Sequence, residues 1–552
     1  MNTNVDVEKL DGGEEQQNEY AAARGARFAD GQSLAEYTTN ASEKAGSSRY
    51  AGSESGLEHV KASKTAERKL VRKLDVLILP LAILLYLSAY LDRGNLGNAK
   101  IQGLGKAVLQ NDSTKYSIAL TCFFITYITF SIPGTLAAKR FPPSRTIAAG
   151  ALVWSIGATC QAAVTSPGGL YACRLVVGLG EAFFGQAIAF YLTLWYLKSE
   201  LAKRIGLFIS AGSLAGAFGA LSVGIMRKPS ATDHLHLFTS GSGLIAYGVA
   251  RISDPKIATW RILFLIEGCP SLLLAIIVMF CLPSRPDKTR YLNEEQRTIA
   301  CTRLNSENQG NQDVAIDWKA VRYALCDWRL YVLAVSYSAM NLTLGSVSGF
   351  LPTIVKGLGY SDANAQLYTV PPYAVSLGVM LLLTTISDRT RSRGLCVAVV
   401  YCIGIVGWGI LYGVSPIDVS KGGLRARYFA CCCLASAGYS NIPLIMAWVS
   451  GNSPSESQRA VSLGMLNSVG QCLSILAAFL FPANEGPRYV KGALTNLAFQ
   501  CLGLVLALSM TTYYRTVNAR KDAAEGGRPP KGMRIENINT EYDRAVGFRY
   551  TV

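Results

Sequence analysis

The chain has 552 residues, of which half are hydrophobic and only 16% charged, with a formal net charge of +16. Soluble domains carry about 25% charged residues, and here the shortfall is local, since the first 65 residues and the last 35 are polar while the middle is not. The roughly 450 residues between carry repeated apolar runs of about 20, each long enough to cross a bilayer as a helix, which excludes a soluble enzyme, a secreted disulfide scaffold and a disordered protein.

Residues 1–66, rich in Gly, Ser, Ala, Glu and Lys without periodicity, read as a disordered tail. Their acidic, polar start does not resemble a cleavable signal. Twelve apolar spans follow, near 74–98, 116–138, 145–165, 168–192, 203–226, 260–282, 329–352, 366–386, 394–414, 427–449, 459–481 and 493–514. The pattern predicts an all-α membrane protein: a six-helix bundle over 67–284, a polar central loop over 285–328, a second bundle over 329–516 and a tail over 517–552. Two halves of six helices suggest an internally repeated transporter.

Basic residues set the orientation. Lys139, Arg140, Arg145, Lys198, Lys203, Arg204, Arg389, Arg391 and Arg393 fall in loops on the side of the tails, and the central loop adds Arg285, Lys288 and Arg290. Cytoplasmic loops collect such residues, so both termini are expected in the cytoplasm. The net positive charge is thereby explained without nucleic acid. Asn111-Asp112-Ser113 then lies on the outer face as a glycosylation sequon.

The fourteen cysteines lie almost wholly in apolar runs without a C-x-x-C spacing, and read as small buried hydrophobes. The three histidines, His59, His234 and His236, fall outside the convincing spans, which disfavours metal binding or histidine catalysis in the core. No Walker A sequence occurs, and no cofactor is called for. Gly178-Leu-Gly180 and the small residues of 211–220 read as faces for close helix approach.

Charged side chains at the bilayer centre cost at least about 2.5–3.5 kcal/mol and so are rare. Span 1 carries Asp92 and Arg93; span 4 carries Arg174 and Glu181, seven residues apart and on one helical face. An arginine can hold a carboxylate bidentately, and a desolvated acid beside it can change protonation. The alternative is an interfacial ion pair at Asp92–Arg93 and a helix brace at Arg174 and Glu181. Glu267 on span 6, between Trp260 and Gly268, is expected to be structural. Asn341, Asn441 and Asn467, with Gln471, are the polar positions of the second half, where recognition and ordinary interhelical bonding are equally open readings.

Ser387-Asp388-Arg389-Thr-Arg391-Ser-Arg393-Gly394 resembles the signature loop of the major facilitator superfamily, in which an Asp and following arginines bridge helix ends. The matching loop after span 2, ending Ala138-Lys139-Arg140, lacks the acid. Tyr90-Leu-Asp92-Arg93-Gly-Asn95, Arg174-Leu-Val-Val-Gly178-Leu-Gly180-Glu181, Trp260-Arg-Ile-Leu-Phe-Leu-Ile-Glu267-Gly268 and Gly438-Tyr439-Ser-Asn441-Ile-Pro443 are similar to the fungal allantoate permease branch of anion:cation symporters.

That resemblance implies the major facilitator fold and alternating-access symport of a small organic anion with protons at the plasma membrane, by a monomer. It implies substrate-binding roles for Arg93, Arg174 and the span 2 tyrosine Tyr127, proton-coupling roles for Asp92 and Glu181, and a gating role for Asp388, Arg389 and Arg393. The same fold also serves proton-driven export of a metabolite and non-transporting nutrient sensing. Against the same branch, residues near 222–241 read as an insertion, from a retained intron or as a genuine outer loop.

Overall fold

A computed structural model describes residues 53–110, 112–225, 257–308, 315–356, 368, 370–414, 421–477, 479–481, 489–529, 535 and 537–552. In the first half the long helices are α1 (Ser53–Ala99), α2 (Ser113–Arg140), α3 (Pro143–Cys160), α4 (Pro167–Ala182), α5 (Gly185–Thr193), α6 (Lys198–Ile225) and α7 (Thr259–Cys281). Two polar helices follow, α8 (Glu294–Asn308) and α9 (Trp318–Cys326). The second half comprises α10 (Trp328–Lys356), α11 (Val370–Thr390), α12 (Arg393–Gly413), α13 (Lys421–Asn452), α14 (Glu456–Ala477) and α15 (Val490–Ala524), then the short α16 (Ile538–Glu541).

Among the described residues, eleven helices are long and apolar enough to cross a membrane. The 28-residue α6 stands where the remaining expected span falls. The proposed insertion near 222–241 and the sequon residue Asn111 lie outside the described residues, apart from the end of α6.

Helix starts follow the local chemistry. Asp112 caps α2 by accepting from the Thr114 N–H at 2.7 Å, and Ser166 caps α4 through the Gly169 N–H at 3.3 Å. Each side chain satisfies one of the orphan donors of a first helical turn. Pro143 and Pro167 sit in first turns, where a missing N–H costs nothing.

Three expectations change. First, helix α1 reaches back to Ser53, into the stretch read as a disordered tail. Ala, Glu and Lys there are good helix formers, and extending an existing helix avoids the cost of nucleation. Second, the polar central loop carries two helices, α8 and α9. Third, span 4 is two helices, with a break at Phe183 and Phe184 that begins two residues after Glu181, where the Phe183 N–H turns to the Gly180 carbonyl at 3.2 Å. Discontinuous helices at midplane are where transporters build sites.

The halves pack in matching ways. In the first, α2 and α3 flank α4 and α3 packs on α7; in the second, α12 lies against α13 and α15, and α10 against α14. Between the halves, α2 packs on α14 and α6 on α11, the second and fifth spans of each half exchanging partners. Small residues make the closest approaches, as expected where lipid gives no hydrophobic drive between helices. A Cβ on Gly134 would stand 2.5 Å from the Ala182 carbonyl oxygen. One on Gly180 would stand 2.7 Å from the Gly150 carbonyl oxygen and would collide with the Trp154 backbone. Such approaches bring α2, α3 and α4 together around the embedded charges.

Candidate functional site

Asp92 and Arg93 are neighbours in α1, about 100° apart around the helix, and they face different partners. Asp92, 4% exposed, accepts from Trp154 Nε1 of α3 at 3.0 Å and from Ser271 Oγ of α7 at 3.4 Å. Arg93 turns the other way and donates from Nε to Glu181 Oε2 at 2.6 Å, with a second ion-pair contact from Nη2 to the same oxygen. The reading of Asp92–Arg93 as a mutual ion pair at the end of span 1 is therefore not what forms. The salt bridge instead joins span 1 to the end of α4, just before the helix breaks.

The Glu181 side chain is fully buried, and its Oε1 has no hydrogen-bond partner among the described residues. By contrast, 29% of the Arg93 side chain remains open. Its guanidinium lies over the rings of Phe123, at 5.2 Å, and Tyr127, at 4.9 Å. These two rings stack on one another 5.4 Å apart, one helical turn apart on α2.

Arg174, 2% exposed, lies one ring away, its guanidinium 5.8 Å from the Phe123 centroid. Its Nε and Nη1 have no hydrogen-bond partner among the described residues. A buried cation so placed is expensive unless something anionic answers it. The geometry therefore separates the two arginines: one is held by an acid of the protein, the other has unused donors.

Glu267, 5% exposed, also has two carboxylate oxygens without partners among the described residues. Beside it, Gly268 rests against Thr159 of α3, and the Glu267 backbone carbonyl accepts from Ser271 at 2.8 Å. The backbone of this stretch is thus packed against α3, while the Glu267 carboxylate has no hydrogen bond among the described residues.

The second-half amides differ among themselves. Asn341 donates to the Gly470 carbonyl at 3.1 Å, which ties α10 to α14. Asn467 donates to Ser131 Oγ at 2.8 Å and accepts from Gln471 at 3.3 Å, so it bridges the two halves. Asn441 is completely buried, and neither end of its amide has a partner among the described residues. Tyr439 and Asn441, two residues apart on α13, thus differ: Tyr439 reaches across to Tyr90, the hydroxyls 2.6 Å apart, and Asn441 holds open donor and acceptor positions.

At the tail face the halves are joined by ions. Asp388 accepts from the N–H groups of Ala202 at 3.2 Å and Lys203 at 2.8 Å, in the first turns of α6. A carboxylate near the N-terminal end of a helix is favoured by the helix dipole. Arg393 donates to Asp388 at 3.2 Å and also reaches the Lys198 carbonyl. Arg389 is exposed and outside this cluster. In the other half, where the loop lacks its acid, Lys139 pairs with Glu456 of α14 at 3.0 Å, and Arg285 joins it at 3.3 Å. The missing acid is answered from the opposite half by a residue that opens α14. Glu456, Trp154, Ser271 and Phe123 were not legible beforehand, because only packing reveals which partner an ordinary residue meets.

Residues 82–479 match the sequence profile of the Major Facilitator Superfamily. The MFS-type transporter efuF of Hormonema carpetanum is 32% identical over 499 residues, covering 90% of this chain and 95% of its own length. The high-affinity nicotinic acid transporter of Saccharomyces cerevisiae is 29% identical over 498 residues, covering 87% of this chain and 85% of its own length. Among solved structures, the proton:xylose symporter XylE bound to 6-bromo-6-deoxy-D-glucose superposes with a TM-score of 0.60 at 16% identity, over 80% of this chain and 96% of that one.

Proposed function

The chain belongs to the major facilitator superfamily and is a multi-pass membrane transporter rather than an enzyme, and from that premise we propose that it carries a small organic carboxylate together with protons by alternating access. The observation that carries this reading is Arg174, a buried guanidinium with unused donors one ring from a second arginine already held by an acid. A substrate carboxylate supplies the missing acceptors, bidentately if it meets the planar fork.

Coupling follows from the Arg93–Glu181 bridge. While Glu181 is ionised it occupies Arg93; once protonated it releases that guanidinium, and both arginines can then answer the anion. Asp92 is a second acid through which protons pass, tied to α3 and α7 by Trp154 and Ser271. Protons entering with the anion offset its charge against an inside-negative potential, worth about 2.3 kcal/mol per charge per 100 mV. Tyr127 and Asn441 line the substrate path on this reading; Asn341 and Asn467 position helices around it.

The resemblance to the allantoate permease branch and the name of the nicotinic acid transporter, whose cargo is a carboxylic acid, support an organic anion as the substrate class. We place the carrier in the plasma membrane as a monomer, with the tail face in the cytoplasm, the ion pairs there forming the closed gate and Asn111 glycosylated outside. Uptake of labelled organic anions by yeast lacking its own carriers, at pH 5 and pH 7, tests the proposal. Uptake is expected to be faster at the lower pH and to lose that dependence in Glu181→Gln. Uptake indifferent to pH in the unmodified protein would overturn proton coupling.

A further inference from the structure

The last fifteen residues, 538–552, are folded against the tail face through groups from both halves of the protein. Most of their anchors belong to the second half. Thr551 exchanges two hydrogen bonds with Asn452 at the end of α13, its N–H donating at 2.8 Å and its carbonyl accepting at 3.1 Å. The same carbonyl accepts from Trp448 Nε1 at 2.9 Å. Tyr550 exchanges backbone bonds with Asn518 of α15 at 2.8 and 2.9 Å and stacks on Tyr514 with centroids 4.8 Å apart. Arg549 pairs with Asp522 at 2.7 Å and Glu525 at 2.9 Å.

A buried ionic knot completes the attachment. Asp543 accepts from Tyr323 of α9 at 2.6 Å, from Tyr550 at 2.5 Å and from Arg329 at the start of α10. Burial alone would raise the Asp543 carboxyl, but Arg329 and the two hydroxyls hold it below its ordinary value. Tyr542 reaches Asp317, the cap of α9, at 3.0 Å. Polar residues with this many mutual bonds are not a solvated tail.

What matters for function is where the segment ends. The Val552 carbonyl accepts from the Arg393 backbone N–H at 2.5 Å, and Arg393 is the gate residue that binds both Asp388 and the Lys198 carbonyl of the other half. Phe548 lies beneath Lys198, whose ammonium is 5.6 Å from the ring centroid. The segment is therefore rooted in one half, grips the gate arginine from behind, and touches the opposing half where α6 begins. Opening the tail face requires α6 to leave Asp388 and Arg393, and so to leave Phe548 as well.

We propose that residues 538–552 form a built-in latch that holds the tail face of the transporter shut and slows its opening. The inference does not depend on the substrate or on proton coupling. Its direct readout is exchange of the Ala202 and Lys203 amides, which donate to Asp388 across the gate. In the full-length protein in lipid nanodiscs, hydrogen–deuterium exchange of the peptide containing them is compared with a variant lacking 538–552 and with Phe548→Ala. The deletion is expected to speed exchange about two- to tenfold, the equivalent of one net hydrogen bond. Phe548→Ala, which removes the ring contacts with Lys198, Lys521 and Tyr550 but keeps the Thr551 and Tyr550 hydrogen bonds and the Arg549 ion pairs, should give a smaller increase. Unchanged exchange in both variants, with the rest of the protein equally protected, would overturn the latch. Equal acceleration across all helices would also overturn it, because the segment would then support the fold rather than the gate.

Discussion

Replacing Arg174 by alanine separates the binding reading from the bracing one. Arg174 is 2% exposed, and two of its nitrogens have no hydrogen-bond partner among the described residues. A brace would lose protein contacts on truncation; an anion receptor loses the ligand. Hydrogen bonds to a charged group contribute about 1.5–3 kcal/mol, and about 1.4 kcal/mol corresponds to a tenfold change. Arg174→Ala should therefore raise KM for the anion by about 10- to 100-fold. The denaturation temperature in detergent should hold or rise, since a buried charge with two unpartnered nitrogens among the described residues is removed. Arg174→Lys keeps the charge without the planar fork and should fall between. The assay is concentration-dependent uptake of labelled anion, normalised to protein at the cell surface, with a parallel melt of the purified variants. An unchanged KM with a lowered denaturation temperature would refute the binding role and establish the brace.

Three further outcomes follow from contacts elsewhere. Gly180→Ala forces a Cβ toward the Gly150 carbonyl and the Trp154 backbone; overpacking of this kind costs roughly 1–3 kcal/mol, and a thermal melt should show the loss. Lys139→Glu and Glu456→Lys should each slow uptake, and the double exchange should recover part of it, with a coupling energy of about 0.5 kcal/mol or more in a double-mutant cycle; no recovery would mean that the pair does not act at the gate. Asp543 is held below its ordinary value of 3.8, so its contribution to the latch is complete above that pH and lost as pH falls through the lower folded value. A dye at the exposed Val546 should accordingly report a seated segment from pH 7 to pH 5 and release only in stronger acid; release between pH 7 and pH 5 would contradict the assignment.

Much of the architecture was legible because bilayer thickness forces long apolar runs, and because a scarce charge inside such a run stands out. Asp92, Arg93, Arg174 and Glu181 were found that way. Their partners were not legible. Neighbouring residues on a helix point about 100° apart, so the pairing of Arg93 with Glu181 rather than Asp92 depends on which helix meets which face. The break in span 4 was hidden because Phe183 and Phe184 suit an apolar helix as well as its interruption. Gly178 and Gly180 were recognised as close-approach positions, yet only the fold says that Phe123 and Trp154 are what they approach. Glu456 looked like an ordinary acid at the start of a span, and its pairing with Lys139 lies 317 residues away in sequence. The docking of residues 538–552 was not legible for a related reason: seven of these fifteen residues are apolar, but a short segment mixing apolar and charged residues reads as solvated until its charged partners, Arg329 and Lys521 among them, are brought to it by the fold.

Anion accumulation by the purified protein in sealed proteoliposomes, with an inward proton gradient imposed and no other energy source, tests the central claim most directly. The account predicts uptake of a labelled carboxylate above its external concentration, accompanied by proton entry, abolished by a protonophore and uncoupled from the gradient in Glu181→Gln. Carboxylate uptake that proceeds equally with the gradient present, absent or reversed would contradict it.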